Sequence, residues 1–284
     1  MKKILVPTDL TPIAELGLKL AVQIAKRANA TISLVNFTKH PFNKTFTAMG
    51  DANTKQFEED ADLFTLQLLY ANKERLESLA LRYNKDVAIE ISIEDNELKD
   101  GIDTYLHREN IDLIVMGTSG QENATELFTG NHTEQVIKIS KCPVISVRDG
   151  FNINEFNNIV LAVNLIDEDK ILRGISSLRT IAGYFDARIH IVHVMNDASE
   201  SVKKITDYFV SMAESIGLAK YSVTVLEAHH QAEGVMMFSR QVRAGLVAVI
   251  KNSHDSLFHI FSHHFSDRMV KEMGRPVLTV NAEN

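Results

Sequence analysis

The chain has 284 residues, 45% apolar and 24% charged, as expected of a soluble globular protein with a sizeable core. Its formal net charge of −7 argues against a broad nucleic-acid surface, because phosphate backbones select for clustered Lys and Arg, yet leaves open a small anion held by backbone amides. A single cysteine, Cys142, excludes an internal disulfide and fits a reducing compartment; no apolar run reaches about 18 residues, and MKKILVPTD lacks a signal-peptide apolar region before Pro7 and Asp9, so no membrane partner and a cytoplasmic location are expected.

Taken in order, Ile4 to Asp9 reads as a buried strand, Ile13 to Ala28 as a helix and Ala30 to Phe37 as a second strand. His40 to Thr54, rich in Asn, Thr and Phe, reads as a surface loop beside a ligand site, with a lid as the alternative. Lys55 to Tyr83 has Phe64, Leu68, Leu69, Leu76, Leu79 and Ala80 near helical spacing. Ile111 to Met116 is another strand, Thr133 to Ile139 opens a helix, and Lys141 to Val147 closes the half, with Cys142 before Pro143 reading as a structural thiol. The order then repeats: Ile159 to Asn164 matches Ile4 to Asp9, Lys170 to Phe185 matches Ile13 to Ala28, and Ala187 to Val194 matches Ala30 to Phe37. Leu246 to Val280 matches Leu113 to Val147, with Pro276-Val277 at the place of Pro143-Val144.

Short Val/Ile-rich strands alternating with helices predict an α/β chain of two doubly wound parallel-sheet, Rossmann-like domains in tandem, at 1–149 and 155–284, with ligands at the carboxyl ends of the strands. The polar, turn-rich Asp149 to Asn154 sets the boundary.

Gly117-Thr118-Ser119-Gly120, nine further residues and Gly130-Asn131 join the end of a buried strand to a helix start. Glycines leave the backbone bare for close approach, and a helix N-terminus offers unpaired N–H groups that suit a phosphate. This spacing, with Lys3 to Thr11 and Lys141 to Val147, resembles the universal stress protein family and its ATP-binding motif. Asn131 stands where that family has Ser or Thr; Asn still donates to a phosphate oxygen, and Thr133 is close by. The resemblance implies ATP or AMP bound in the N-terminal domain, with Asp9 beside Pro7 and Thr8 accepting from ribose hydroxyls or an adenine nitrogen. It further implies that Phe37 lines the adenine pocket and that Met116, Gly117, Ser119 and Gly120 line the sugar and phosphate path, while Gly130, Asn131, His132 and Thr133 supply donors. On the residues alone, Asp9 or Thr11 is equally a helix N-cap, with Pro12 in the first turn, and Phe37 an ordinary core residue.

Gln121 to Thr129 holds no Lys or Arg; Glu122 and Glu126 would repel a triphosphate, hold Mg²⁺ opposite it, or simply be exposed. The second half lacks the motif: Ile250, Ser253 and His263 fall where the first has Gly117, Gly120 and Gly130, and Asn164 replaces Asp9. Ile250 would block close approach to the backbone, so no nucleotide is expected there. His254, His259, His263 and His264 lack regular metal-ligand spacing, and no metal site is assigned.

A regulatory, nucleotide-binding stress-response protein is the leading expectation, with no catalytic residue assigned. A nucleotide-free scaffold or signalling protein and a slow ATPase are the alternatives. Two copies in one chain would imitate a symmetric dimer through the strands ending at Val147 and Val280. A further homodimer stays open, and no protein partner is identified.

Overall fold

The computed structural model describes residues 1–39, 54–118, 130–163, 168–195, 201–251 and 275–281. The first half runs β1 (Lys3–Thr8), α1 (Pro12–Ala28), β2 (Thr31–Phe37), α2 (Thr54–Leu81), β3 (Ile89–Glu94), α3 (Leu98–Arg108), β4 (Leu113–Gly117), α4 (Gly130–Ile139) and β5 (Val144–Val147). The second runs β6 (Asn158–Ala162), α5 (Glu168–Tyr184), β7 (Arg188–Met195), α6 (Val202–Ser215), β8 (Tyr221–Glu227), α7 (Gln231–Gln241), β9 (Leu246–Lys251) and β10 (Val277–Asn281). The segments 40–53, 164–167 and 252–274 lie outside the described residues, and with them the His40 to Thr54 loop, Asn164, Ser253 and the His254 to His264 cluster.

Among the described residues ten strands form one sheet in the order β3-β2-β1-β4-β5-β10-β9-β6-β7-β8, symmetric about its middle. Every pairing is parallel except the central one, where Ser146, Ile145 and Val144 of β5 face Val277, Leu278 and Thr279 of β10 antiparallel. The two halves also meet outside the sheet. The Arg27 guanidinium lies 4.9 Å above the Phe185 ring, and the Met1 amine donates to the Tyr184 hydroxyl at 3.1 Å.

Alternation along the strands sends side chains to two helical layers. Ile4, Val6, Ile32, Leu34, Leu113 and Val115 face Leu18, Leu76 and Leu79 of α1 and α2, and this layer continues into Ile159, Leu161 and Ile175 of the second half. On the other side Leu5, Val35, Ile114 and Met116 meet Ile102, Tyr105 and Val136 of α3 and α4, while Val160 and Val192 meet Val235 and Phe238 of α7. Among its described side chains, helix α2 buries Asn72, Leu76, Leu79 and Ala80. Asn29 and Asp186, matched across the repeat, both take the left-handed conformation that ends the first helix of each half (φ 50° and 49°). The segment between the halves is packed: Phe156 is fully buried and lies 5.0 Å from Phe185, and a Cβ at Gly245 would collide with the backbone of Glu155 and Phe156.

Among the described residues no helix is long and apolar enough to cross a membrane. Cys142 is a packing residue in this environment; burial pushes its thiol up to about 12, so it carries no thiolate at neutral pH.

One buried histidine gives the fold a pH dependence. His190 on β7 contacts Ser222 Oγ through Nδ1 at 2.9 Å and Asn158 Oδ1 through Nε2 at 3.0 Å, and burial, aided by Arg188, lowers its pKa below the ordinary 6.5. A histidine depressed in the folded state binds fewer protons folded than unfolded, so stability falls as pH drops through the unfolded value. Acidification from neutrality to about pH 5 is expected to lower the urea midpoint, and His190→Gln to flatten that dependence on pH. Equal slopes in chemical denaturation of the two proteins would show that His190 does not contribute.

Candidate functional site

The C-terminal ends of β1, β2, β4 and β5 converge where α1 and α4 begin. Thr8 pairs with Asn36 across β1 and β2, and Gly117 pairs with Val147 across β4 and β5. The first α4 amides have no partner within the helix and give this edge its positive end.

The turn between β1 and α1 is built from its own side chains. The Thr8 hydroxyl accepts from the Leu10 amide at 3.0 Å. Asp9 Oδ1 accepts from the Thr11 amide at 3.0 Å and the Thr11 hydroxyl at 2.6 Å, and Thr11 Oγ1 accepts from the Ala14 amide at 3.2 Å. Thr11 is therefore the N-cap, with Pro12 in the first turn, and Asp9 steadies the cap from outside. Leu10 takes φ 65°, a region a bulky L-residue enters only under constraint from its surroundings.

Behind this turn lies a polar network that residue patterning missed. Asn36, 3% exposed, donates to the Thr8 carbonyl at 2.8 Å. Its Oδ1 accepts from the Thr38 hydroxyl at 2.7 Å and from the buried Asn72 amide of α2 at 3.3 Å. A lone Asn in an Ile/Leu/Val strand was the available signal, since a buried amide needs partners. A cavity of about 320 Å³ separates α2 from this turn, lined by Leu10, Thr11, Glu15, Arg75, Ser78 and Arg82 among others.

The residues expected to hold a ligand fall into distinct environments. Asp9 is half-buried at the strand ends. Phe37 is half-buried, edge-on to Tyr105 at 6.3 Å, with its ring filling the space a side chain at Gly101 would need. Pro7 and Thr8 are buried, and Met116 has no exposed surface and packs in the α3–α4 layer. Gly117 has a packing reason to be bare: a Cβ there would collide with the Ile13 carbonyl of α1. Gly17 of α1 answers it, since a Cβ there would sit 2.8 Å from the Gly117 nitrogen. In the second half Ile250 occupies the matching position and its side chain fills the space above Gly174 of α5, 2.5 Å from where a Cβ would be. Position 250 thus faces the helix layer, and the isoleucine sets helix spacing there rather than covering a ligand cleft.

Ser119 and Gly120 lie outside the described residues. The backbones of Gly130 and Asn131 form the start of α4. His132, next along, is close enough to Asp9 for that carboxylate to raise its pKa, although burial outweighs this and lowers the value below 6.5. Thr133 is 8% exposed, and its hydroxyl has no hydrogen-bond partner among the described residues. The structure thus brings Asp9 and the first turn of α4 together, with Pro7 and Met116 buried beside them and Gly117 packed beneath α1.

The sequence of residues 1–148 matches the universal stress protein family. A relative from Staphylococcus aureus bearing that family name is 31% identical over 148 residues, which are 52% of this chain and 84% of its own. The chain belongs to the universal stress protein family. Two solved family structures share the fold along nearly all of the chain. One from Archaeoglobus fulgidus covers 98% of this chain and 96% of its own at a TM-score of 0.65 and 15% identity. One from Pseudomonas aeruginosa covers 99% and 93% at 0.61 and 16%.

Because the Gly117 backbone is wedged under Ile13, Gly117→Ala is expected to cost about 3 kcal/mol or more, the range of severe overpacking. Ser140→Ala, one residue past the end of α4, where the hydroxyl donates to the Val136 carbonyl, should lose far less. A urea melt in which Gly117→Ala matches the parent would remove the packing explanation.

Proposed function

We infer that this family member binds an adenine nucleotide, ATP or AMP, at the strand ends of its first half, and that occupancy serves regulation in a stress response rather than turnover. The observation that carries the reading is the Thr133 hydroxyl, nine-tenths buried and without a partner among the described residues, in the first turns of a helix whose N-terminal amides suit an anion. A buried hydroxyl left unmatched costs roughly 1–3 kcal/mol, and a phosphate oxygen would satisfy it. Asp9, with one oxygen engaged by Thr11, is the group for ribose hydroxyls or an adenine nitrogen, and Phe37 presents a half-buried ring at the neighbouring strand end. Mg²⁺ beside a triphosphate fits this reading without altering which residues hold the phosphate.

The antiparallel β5–β10 junction is read as the internal equivalent of a dimer interface between a domain at 1–149 and one at 155–284. Nucleotide binding is assigned to the first. A nucleotide-free scaffold is the second reading, favoured by one observation: Gly117 has a complete explanation in helix packing. Slow ATP hydrolysis is a smaller extension, since positioned amides and a metal can support it without a dedicated base.

The test is the nucleotide content of the purified, then denatured, protein, followed by calorimetry with ATP and AMP. A single nucleotide per chain is expected. Thr133→Val, which keeps shape and removes the hydroxyl, should weaken binding about tenfold, the loss of one hydrogen bond to a charged group. Asp9→Ala should weaken ATP and AMP alike, because it acts at the nucleoside end. An empty protein that ignores both nucleotides, with and without Mg²⁺, would move the assignment to the scaffold.

A further inference from the structure

Each half of the sheet has an inner edge, β5 or β10, already paired with its counterpart, and an outer edge, β3 or β8. Among the described residues the outer edges pair only inward, β3 with β2 and β8 with β7. In a parallel ladder alternate residues turn their N–H and C=O toward the neighbouring strand. Ile189 N–H donates to Lys220 O and Ala228 N–H to Met195 O, so Ser222, Thr224 and Leu226 bond to β7. Val223 and Val225 therefore turn their N–H and C=O outward, a row of unmet groups that templates another strand. The Tyr221 carbonyl accepts from Arg188 at 3.2 Å.

The two outer edges differ in what guards them. Ser33 of β2 faces Glu90 and its counterpart His190 of β7 faces Ser222, so Glu90 and Glu94 of β3 correspond to Ser222 and Leu226 of β8. The two glutamates are charged and ion-paired, Glu90 with Lys3 at 3.0 Å and Glu94 with Arg108 at 2.6 Å, and charge on an edge strand deters pairing. β8 reads Tyr-Ser-Val-Thr-Val-Leu-Glu, with no charge before Glu227, no proline and three β-branched residues in a row.

We propose that β8 is a self-association edge, where a second copy of this chain adds its own β8 antiparallel about a two-fold axis through Thr224. That register sets Thr224 opposite Thr224, Val223 opposite Val225 and Tyr221 opposite Glu227, so no like charges meet along the seven residues. The outward Val223 and Val225 fall in hydrogen-bonded pairs, each exchanging two bonds, and Thr224 falls in the closer non-bonded pair. The molecule already closes its inner edges this way, with β5 and β10 pairing short apolar strands antiparallel. The second copy is favoured over a foreign peptide because β8 is complementary to itself in this register.

The experiment is sedimentation velocity of the full chain from low to high micromolar concentration, with residue-resolved amide exchange at both ends of the range. A dimer forming with concentration is expected, with the Val223 and Val225 amides slowing about tenfold or more. Thr224→Lys sets two cations opposite at the axis. Val223→Pro removes an outward N–H while sparing the ladder to β7. Both variants, with unchanged circular dichroism, should remain monomers. The proposal is overturned by a monomeric wild type at every concentration, by a dimer whose Val223 and Val225 exchange is unaltered, or by a dimer that survives both substitutions. A monomer whose β8 amides are protected only by an added peptide would assign the edge to a foreign strand instead.

Discussion

Helix α1 lies on β4 with no side chain between them at two points, because Gly17 presents its backbone to Gly117 and Gly117 presents its own to Ile13. Close packing leaves no slack for an added methyl group there, so the pair sets the depth at which α1 sits on the sheet. That depth places Thr11 and Pro12 over the strand ends, and with them the turn that carries Asp9. Asp9 then reaches the start of α4, where its charge is felt by His132.

The apolar core stops one residue short of this edge, and polar groups take over. Asn36 links the Thr8 carbonyl, the Thr38 hydroxyl and the Asn72 amide, while the Thr8 hydroxyl holds Leu10, so α2 is tied to the strand ends by an amide as well as by leucines. Buried polar groups rigidify when matched and destabilise when half-matched. The positive φ of Leu10 is held by the same set, through the Thr8 hydroxyl. Strain of this kind persists where surrounding contacts over-determine it, and it gathers at functional edges.

The two halves share a plan and differ in chemistry at equivalent positions. Gly117 admits the α1 backbone, while Ile250 fills the corresponding gap against Gly174. Phe37 covers Gly101, and Val194, in the same register, covers Gly234. Glu90 and Glu94 guard one outer edge, whereas Ser222 and Leu226 leave the other neutral. The first half thus packs helix backbone and an aromatic ring at positions where the second packs aliphatic side chains. The antiparallel β5–β10 pair lets both coexist in one sheet without either reshaping the other.

Periodicity in the chain was enough to find the alternating strands and helices, the repeat and the segment between its copies, because burial on both sheet faces writes continuous apolar runs and helices write a 3.6-residue stripe. What put Asp9, His132 and Thr133 into one candidate site was the family resemblance carried by the glycine spacing after β4, not the hydrophobic period. The duties of Gly117, Met116 and Ile250 were not legible: a glycine beside a ligand and a glycine beneath a helix have the same sequence, and only the position of Ile13 separates them. Likewise Asn36 and Asn72 stand 36 residues apart, and the left-handed Leu10 has no signature of its own. The sequence by itself determined which segments fold and in what order, through local propensity and hydrophobic period. The tertiary structure alone decided which bare backbone is packed, which polar groups meet and which sheet edge is left open, because each depends on atoms brought together from distant parts of the chain.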